Sequence, residues 1–367
     1  MKQFIYHNKE WPNFYWDSDS LVFTLGKVRN LQGRLNGKME SLGFKLKGEA
    51  TLKTLTLNVL KSSEIEGEIL ISEVVRSSIA RHLRMDIQGL IPSDRNTDGV
   101  VEMMLDATQN YREPIDPDRL FGWHASLFPG GRSGMYKIKV GDWREDITGP
   151  VQVVSGAMGK EKVHFQAPDL STIPGEMEAF INWINRDQPL DPVIKAGIAH
   201  LWFITIHPFD DGNGRIARAL SDMLLARADG SVQRYYSMSA QIRLERKDYY
   251  TILENTQKGN LDITSWLTWF LNCLQNAVES AEEILSNVIF KDTFWRKNIS
   301  TSLNDRQKKM LNIILDGFEG KLNSSKWAKI NKTSTDTALR DIQDLIEKNI
   351  LEKEESGGRS TSYRLTW

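Results

Sequence analysis

The chain has 367 residues, 40% of them hydrophobic and 26% charged, with a formal net charge of −1; this is a soluble globular balance with room for about two or three domains, and it excludes a protein built mainly to neutralise a polyanion. Its single cysteine, Cys273, excludes an internal disulfide and a cysteine-rich zinc site and reads as a core residue in a cytoplasmic protein. No stretch has the apolar core of a signal peptide or approaches a membrane span, so no membrane partner is expected.

Residues 1–16 crowd Phe4, Tyr6, Trp11, Phe14, Tyr15 and Trp16 around Pro12, which predicts an ordered strap. Between Asp19 and Leu42 the residues Leu21, Leu25, Val28, Leu31 and Leu35 step by three and four, the period of one helical stripe. GEATLKTLTLNVLKSSEIEGE predicts a second helix with Leu52, Leu55, Val59 and Leu60 on one face and Gly67 as its terminator. Helical patterns also cover Ser72 to Met85 and Asp98 to Tyr111, and residues 89–99 read as a turn by their Pro, Gly, Asn and Asp content. Residues 1–105 are thus an all-helical region.

Pro117 then starts a short helix, after which glycines replace the helical period. The cluster GGRSG reads as a turn, since no GxxxxGK[ST] pattern accompanies it. PVQVV at 150–154 and KVHFQ at 162–166, separated by SGAMGKE, predict a β-hairpin. Helices resume with PGEMEAFINWINRD and DPVIKAGIAHLWFITI, the latter apolar nearly all round and therefore buried. His200 inside it is expected to be a hydrogen-bonded core histidine, while His7, His82, His124 and His164 have no partner pattern.

That buried helix delivers the chain into HPFDDGNGRIAR, His207 to Arg218. A glycine-rich turn that opens a helix leaves backbone N–H groups unsatisfied and aimed at one spot, which makes an anion site. Arg215 and Arg218 are spaced to leave the helix on the same side. Gly212, Asn213 and Gly214 can curl the backbone around phosphate oxygens, with the Asn213 amide adding a donor, and Arg215 offers a planar fork to the rest of a polyphosphate. His207, with an ordinary pKa near neutrality, is the candidate general base.

The segment resembles the signature of the Fic (Fic/Doc) family, HPFx[DE]GNGRxxR, at every specified position. The resemblance covers about residues 106–290. It implies a mainly α fold, a Fic-type helical domain with a β-hairpin called the flap, and transfer of AMP from ATP to a hydroxyl of an unidentified target protein. It also implies Mg²⁺ at Asp211, which matches the family's metal position, whereas Asp210 falls on its variable one. The hairpin, with Val151, Val153, Val154, Ser155 and Gly156, matches the flap, which pairs with the target by adding a strand. ERKDYYTILENTQKG resembles the segment lining the adenine pocket, which assigns Tyr249, Tyr250 and Gln257 to the nucleotide.

With that resemblance, SSEIEG fits the inhibitory pattern [ST]xxxE[GN] through Ser62, Glu66 and Gly67. Glu66 is expected to pair with Arg218 and leave ATP in a geometry unfit for transfer; the same carboxylate could instead position water to remove AMP, making a de-AMPylase or bifunctional enzyme. Residues 291–367 resemble a winged helix, with a helix over Ser334 to Lys348 and a strand pair around GGR. From 301 to 367 there are twelve Lys and Arg against ten Asp and Glu, and the would-be recognition helix carries Asp336, Asp341, Asp344 and Glu347. A helix entering a phosphate-lined groove should be basic, so a protein-contact or homodimerisation module is expected ahead of a nucleotide-sensing DNA-binding regulator.

Overall fold

The computed structural model describes residues 4–40, 42–85, 89–145, 149–155, 162–315, 318, 320–354 and 361–366. Contacts divide the chain into two compact units, Met1–Glu282 and Glu283–Trp367, so the N-terminal helical region and the domain after residue 105 share one unit.

The strap is ordered, with Phe4 and Ile5 buried, Trp11 packed against Phe14 and Trp202, and Tyr15 bridging Asp262. Helix α1 (Ser18–Glu40) buries Leu21, Val28, Leu31 and Leu35, and α2 (Phe44–Ile65) buries Leu52, Leu55 and Val59. Gly67 lies in the left-handed region at φ 86°, where it accepts the turn that ends α2. The Gly67 and Glu68 N–H groups donate back to the carbonyls of Glu64 and Ser63, the paired bonds of a Schellman cap.

Helix α3 is Ser72–His82, three residues shorter than its pattern suggests, and α4 is Arg95–Gln109. The latter begins inside the expected turn because the Asp94 carboxylate caps Thr97 N–H at 2.9 Å. Asp116 and Pro117 start α5 (Pro117–Leu127) in the same manner. GGRSG, expected to be a turn, contains β1 (Arg132–Ser133), and its Gly134 starts the turn into the antiparallel β2 (Tyr136–Lys137). The longer hairpin pairs β3 (Gln152–Ser155) with β4 (Lys162–Gln166), shifting register between Val153 and Val154.

Next come α6 (Ile173–Asn185), α7 (Pro192–Ile206), α8 (Asn213–Asp229), α9 (Met238–Leu244), α10 (Arg246–Gln257) and α11 (Thr264–Lys297). Helix α7 is buried from Val193 to Ile206 apart from Lys195 and packs chiefly on α8, so the His207 loop joins two core helices. That placement gives the loop rigid supports on both sides. Cys273 is fully buried in α11.

The second unit holds α12 (Asp305–Leu315), α13 (Ser324–Asn331), α14 (Thr335–Glu347) and the antiparallel pair β5 (Leu351–Lys353) with β6 (Tyr363–Leu365) around buried Trp327, Ile342 and Leu345. GGR itself lies outside the described residues. Two of the acids counted on α14 have inward work: Asp341 is buried and accepts from Arg306 and Asn304, and Asp344 pairs with Lys348 and accepts from Gln307. Among the described residues no helix is long and apolar enough to cross a membrane.

Candidate active site

His207 caps α7 in the left-handed conformation, φ 53° and ψ 56°. Such a backbone costs a non-glycine residue about 1–2 kcal/mol, and buried Arg144 holds it in place. The Arg144 backbone N–H donates to Pro208 O at 2.8 Å, its Nε donates to His207 O at 2.9 Å, and its Nη2 donates to Pro168 O just beyond β4.

The imidazole Nδ1 lies 3.2 Å from Ile204 O. A carbonyl only accepts, so Nδ1 carries the proton and Nε2 keeps its lone pair. Burial, helped by the Arg144 charge, lowers the ring's pKa to about 4 despite the opposing pull of Ile204 O, Asp211 and Glu66. The ring therefore stays neutral at ordinary pH, a base with one open nitrogen, and it faces Phe165 of β4 at 6.4 Å between centroids.

Gly212 opens α8 at φ 81°, and a Cβ there would come within 2.9 Å of the Phe128 ring. Both facts demand glycine, so Gly212→Ala should destabilise the first unit by about 1–3 kcal/mol, measured by urea unfolding; an unchanged midpoint would show that the loop relaxes freely. The α8 start leaves the N–H groups of Asn213, Gly214 and Arg215 at a helix N-terminus, where an anion is favoured. The Asn213 amide, expected to add a donor for phosphate, closes the loop instead: its Oδ1 accepts from Phe209 N at 3.0 Å and its Nδ2 donates to Phe209 O at 2.7 Å, both buried.

Asp211 accepts from Gly212 N at 2.5 Å through Oδ1 and from the Ser133 hydroxyl through Oδ2. Its carbonyl accepts from His124 Nε2 at 3.2 Å. His124 stacks on Phe209 at 4.2 Å, and burial lowers its pKa to about 4, which keeps the ring neutral. Asp210 instead accepts from Lys139 N at 2.8 Å and fastens the preceding loop.

Both arginines of the motif meet the end of α2. Arg218, buried, donates from Nη2 to Glu66 Oε1 at 2.8 Å and Ser62 O at 2.9 Å, and from Nε to Ser62 Oγ at 3.0 Å. Gly214 provides the space, since a Cβ there would lie 2.1 Å from Glu66 Oε1. Arg215 donates from Nη1 to Glu68 Oε2 at 2.8 Å and lies over the Phe128 ring at 4.9 Å. Arg218 Nη1 and Arg215 Nε are buried with no hydrogen-bond partner. Two unmet donors of this kind at a helix start make a site wanting an anion.

Of the three α10 residues assigned to the nucleotide, two are buried. Tyr249 is buried, its hydroxyl bonded to His200 Nε2 at 3.0 Å and its ring packed against Trp266 and Trp269, so it belongs to the core. Gln257 is also buried and donates to Thr205 Oγ1 at 3.2 Å. Only Tyr250 keeps partial exposure, with Arg246 over its ring at 5.0 Å. His200 is the hydrogen-bonded core residue expected, also meeting Ser221 Oγ at 3.0 Å.

In the hairpin, Val151 packs beside the Phe4 and Phe165 cluster, and Val153 and Val154 are exposed. Ser155 ends β3, and Gly156 lies outside the described residues. His164 of β4 lies 2.6 Å from Glu254 of α10. Three further residues join the site without a sequence pattern that singles them out: Arg144, Ser133 and Glu68. For Glu68 the one available signal was a second acid two positions beyond Glu66.

The Fic/DOC family profile matches residues 114–225, and a profile described as a domain of unknown function, DUF4172, matches residues 4–85. Proteins named protein adenylyltransferase Fic are similar over 139 residues, 29% identical in Drosophila mojavensis and 30% in Culex quinquefasciatus; each match covers 36% of this chain and 26% of the relative. The chain thus spans about a quarter of the length of these relatives. Among solved structures, a Fic family protein from Desulfovibrio desulfuricans aligns with a TM-score of 0.57 at 20% identity, covering 96% of this chain and 97% of that one. A Fic domain containing signaling protein from Bacteroides thetaiotaomicron aligns at 0.51 and 20% identity, covering 72% and 95%. The chain carries a Fic/DOC family domain behind a DUF4172 region, in a mainly helical fold shared with Fic family structures.

Proposed function

We propose that this chain is a protein adenylyltransferase, which moves AMP from ATP to a hydroxyl side chain of a target protein and is held inactive by Glu66. The observation that carries the reading is a neutral His207 with an open Nε2 beside a helix start at which two arginines keep buried, unpartnered donors. The names of the relatives support the same chemistry.

In the proposed step, His207 Nε2 takes the proton of the acceptor hydroxyl as its oxygen attacks the α-phosphorus. The new O–P bond forms as the bond to the bridging oxygen breaks, and pyrophosphate leaves. Negative charge on the phosphoryl oxygens is met by the N–H groups of the α8 start and by Arg215. The outer edge of β3 offers backbone groups and the exposed Val153 and Val154 to an extended target segment.

No group of three or more metal-binding side chains occurs among the described residues. One carboxylate suffices for Mg²⁺, which takes one or two carboxylates and completes its shell with phosphate oxygens and water. Asp211, an acceptor-only group beside the phosphate cradle, fits that part. When bound, Mg²⁺ would neutralise phosphate charge; Ser133 and Gly212 hold the carboxylate in place meanwhile.

Glu66 restrains the site because it holds the Arg218 guanidinium that a terminal phosphate would need, and because it fills the space over Gly214. The second unit is read as a winged-helix-like module for protein contact, since the exposed part of α14 carries Asp336 and Glu347 against Arg340. With labelled ATP and Mg²⁺, Glu66→Gly should raise incorporation of label into protein by about ten- to a hundredfold over the native chain. Equal, background labelling of both proteins, with a cell extract present as a source of targets, would sink the reading.

A further inference from the structure

We propose that Glu68 is a second occupant of the phosphate site, holding Arg215 closed to nucleotide separately from the grip of Glu66 on Arg218. The inference rests on the reading of His207 to Arg218 as a nucleotide site.

The geometry starts with the cap of α2. Glu66 is the last residue before left-handed Gly67, and Glu68 follows with its N–H bonded to Ser63 O at 3.0 Å. This Schellman turn fixes two carboxylates on either side of one glycine, and both reach the start of α8. Acids are unfavourable at the C-terminal end of a helix, where carbonyls carry partial negative charge. Their compensation comes from the other side: Arg218, Arg215 and the positive end of α8.

The two grips differ in kind. Arg218 is buried and donates three bonds, two to Ser62 and one to Glu66. Arg215, lodged over Phe128, donates one bond to Glu68, while its Nε stays buried and unpartnered. A single carboxylate oxygen therefore leaves part of the guanidinium fork unmet, and a phosphate group with several oxygens could meet two of its donors at once. Glu68 is also the more open partner, its side chain 37% exposed, so the pair is screened by solvent. Such a contact is a displaceable competitor of phosphate. Glu68 thus sets how tightly nucleotide binds, whereas Glu66 sets whether bound nucleotide reaches a productive geometry.

The test measures binding of ATP, and of inorganic pyrophosphate, to the full chain by calorimetry. Glu68→Gln should tighten ATP by about three- to tenfold with the melting curve unchanged, and Glu68→Ser, which brings no amide to take up the Arg215 contact, should do the same. Arg215→Gln serves as the reference and should weaken ATP. If Arg215→Gln weakens ATP and neither Glu68 variant tightens it, the inference is overturned and the site reading stands. If Arg215→Gln has no effect either, both are overturned.

Discussion

His207→Ala, placed in the Glu66→Gly chain, should lower protein labelling by about 10²–10⁴-fold, the range supplied by a positioned general base, while ATP binding persists. The reason lies in the tautomer. With Nδ1 committed to Ile204 O, the ring presents Nε2 as an acceptor, and alanine removes the one group placed to take a hydroxyl proton without touching the helix start that holds phosphate. The pH response carries the same signature. Because burial lowers the His207 pKa to about 4, its base form persists well below the ordinary 6.5. Labelling limited by that base should therefore hold roughly level from neutrality to about pH 5 and fall only as the pH nears the depressed value. A limb near 6.5, or labelling that survives the alanine substitution, would remove His207 from the role.

Acid should also unfold the first unit, for a reason independent of catalysis. His200 and His124 are both buried, and desolvation lowers their pKa values to about 3 and about 4. Unfolded, each would take a proton near 6.5; folded, each resists until much lower pH. The unfolded chain binds more protons between those values, so the stability is complete above about 6.5 and is lost as pH falls through the window. Between pH 7 and 5 each ring should cost roughly 2 kcal/mol, about 4 kcal/mol together. Urea unfolding followed through Trp202 of α7 and Trp266 packed against it measures the change. A midpoint unmoved between pH 7 and 5 would show that the rings accept protons inside the folded unit.

What the sequence makes legible here depends on how local the cause is. The His207 to Arg218 segment is readable because its glycines, its helix start and its paired arginines act within twelve positions, and Gly67 is readable as a terminator for the same reason. The hairpin is visible as two β-branched runs, whereas its register shift at Val153 and Val154 is not written in either run alone. Glu66 could be placed against Arg218 through a motif spanning more than 150 positions. Glu68 could not be placed against Arg215, because only the turn geometry after α2 decides where a second acid points. Arg144 reaches His207 O from 63 positions away, and nothing in GDWRED distinguishes it from a surface arginine. The burial of Tyr249 and Gln257 is not legible either, because an aromatic or amide on α10 looks alike whether solvent or α7 and α11 cover it. The acids of α14 show the same ambiguity: Asp341 counts as a surface charge in composition and is a buried ion-pair partner in the fold.

Buried Cys273 has a practical consequence. It is the chain's one thiol, and desolvation in α11 pushes its pKa well above the ordinary value, so it stays protonated and shielded from alkylating reagents. The native protein is therefore a ready background for site-selective labelling. Ile69, 88% exposed and one position past Glu68, is a suitable anchor: Ile69→Cys would carry a fluorophore at the edge of the α2 cap. Its emission would respond to changes beside that cap and the α8 start, with no native cysteine to replace first.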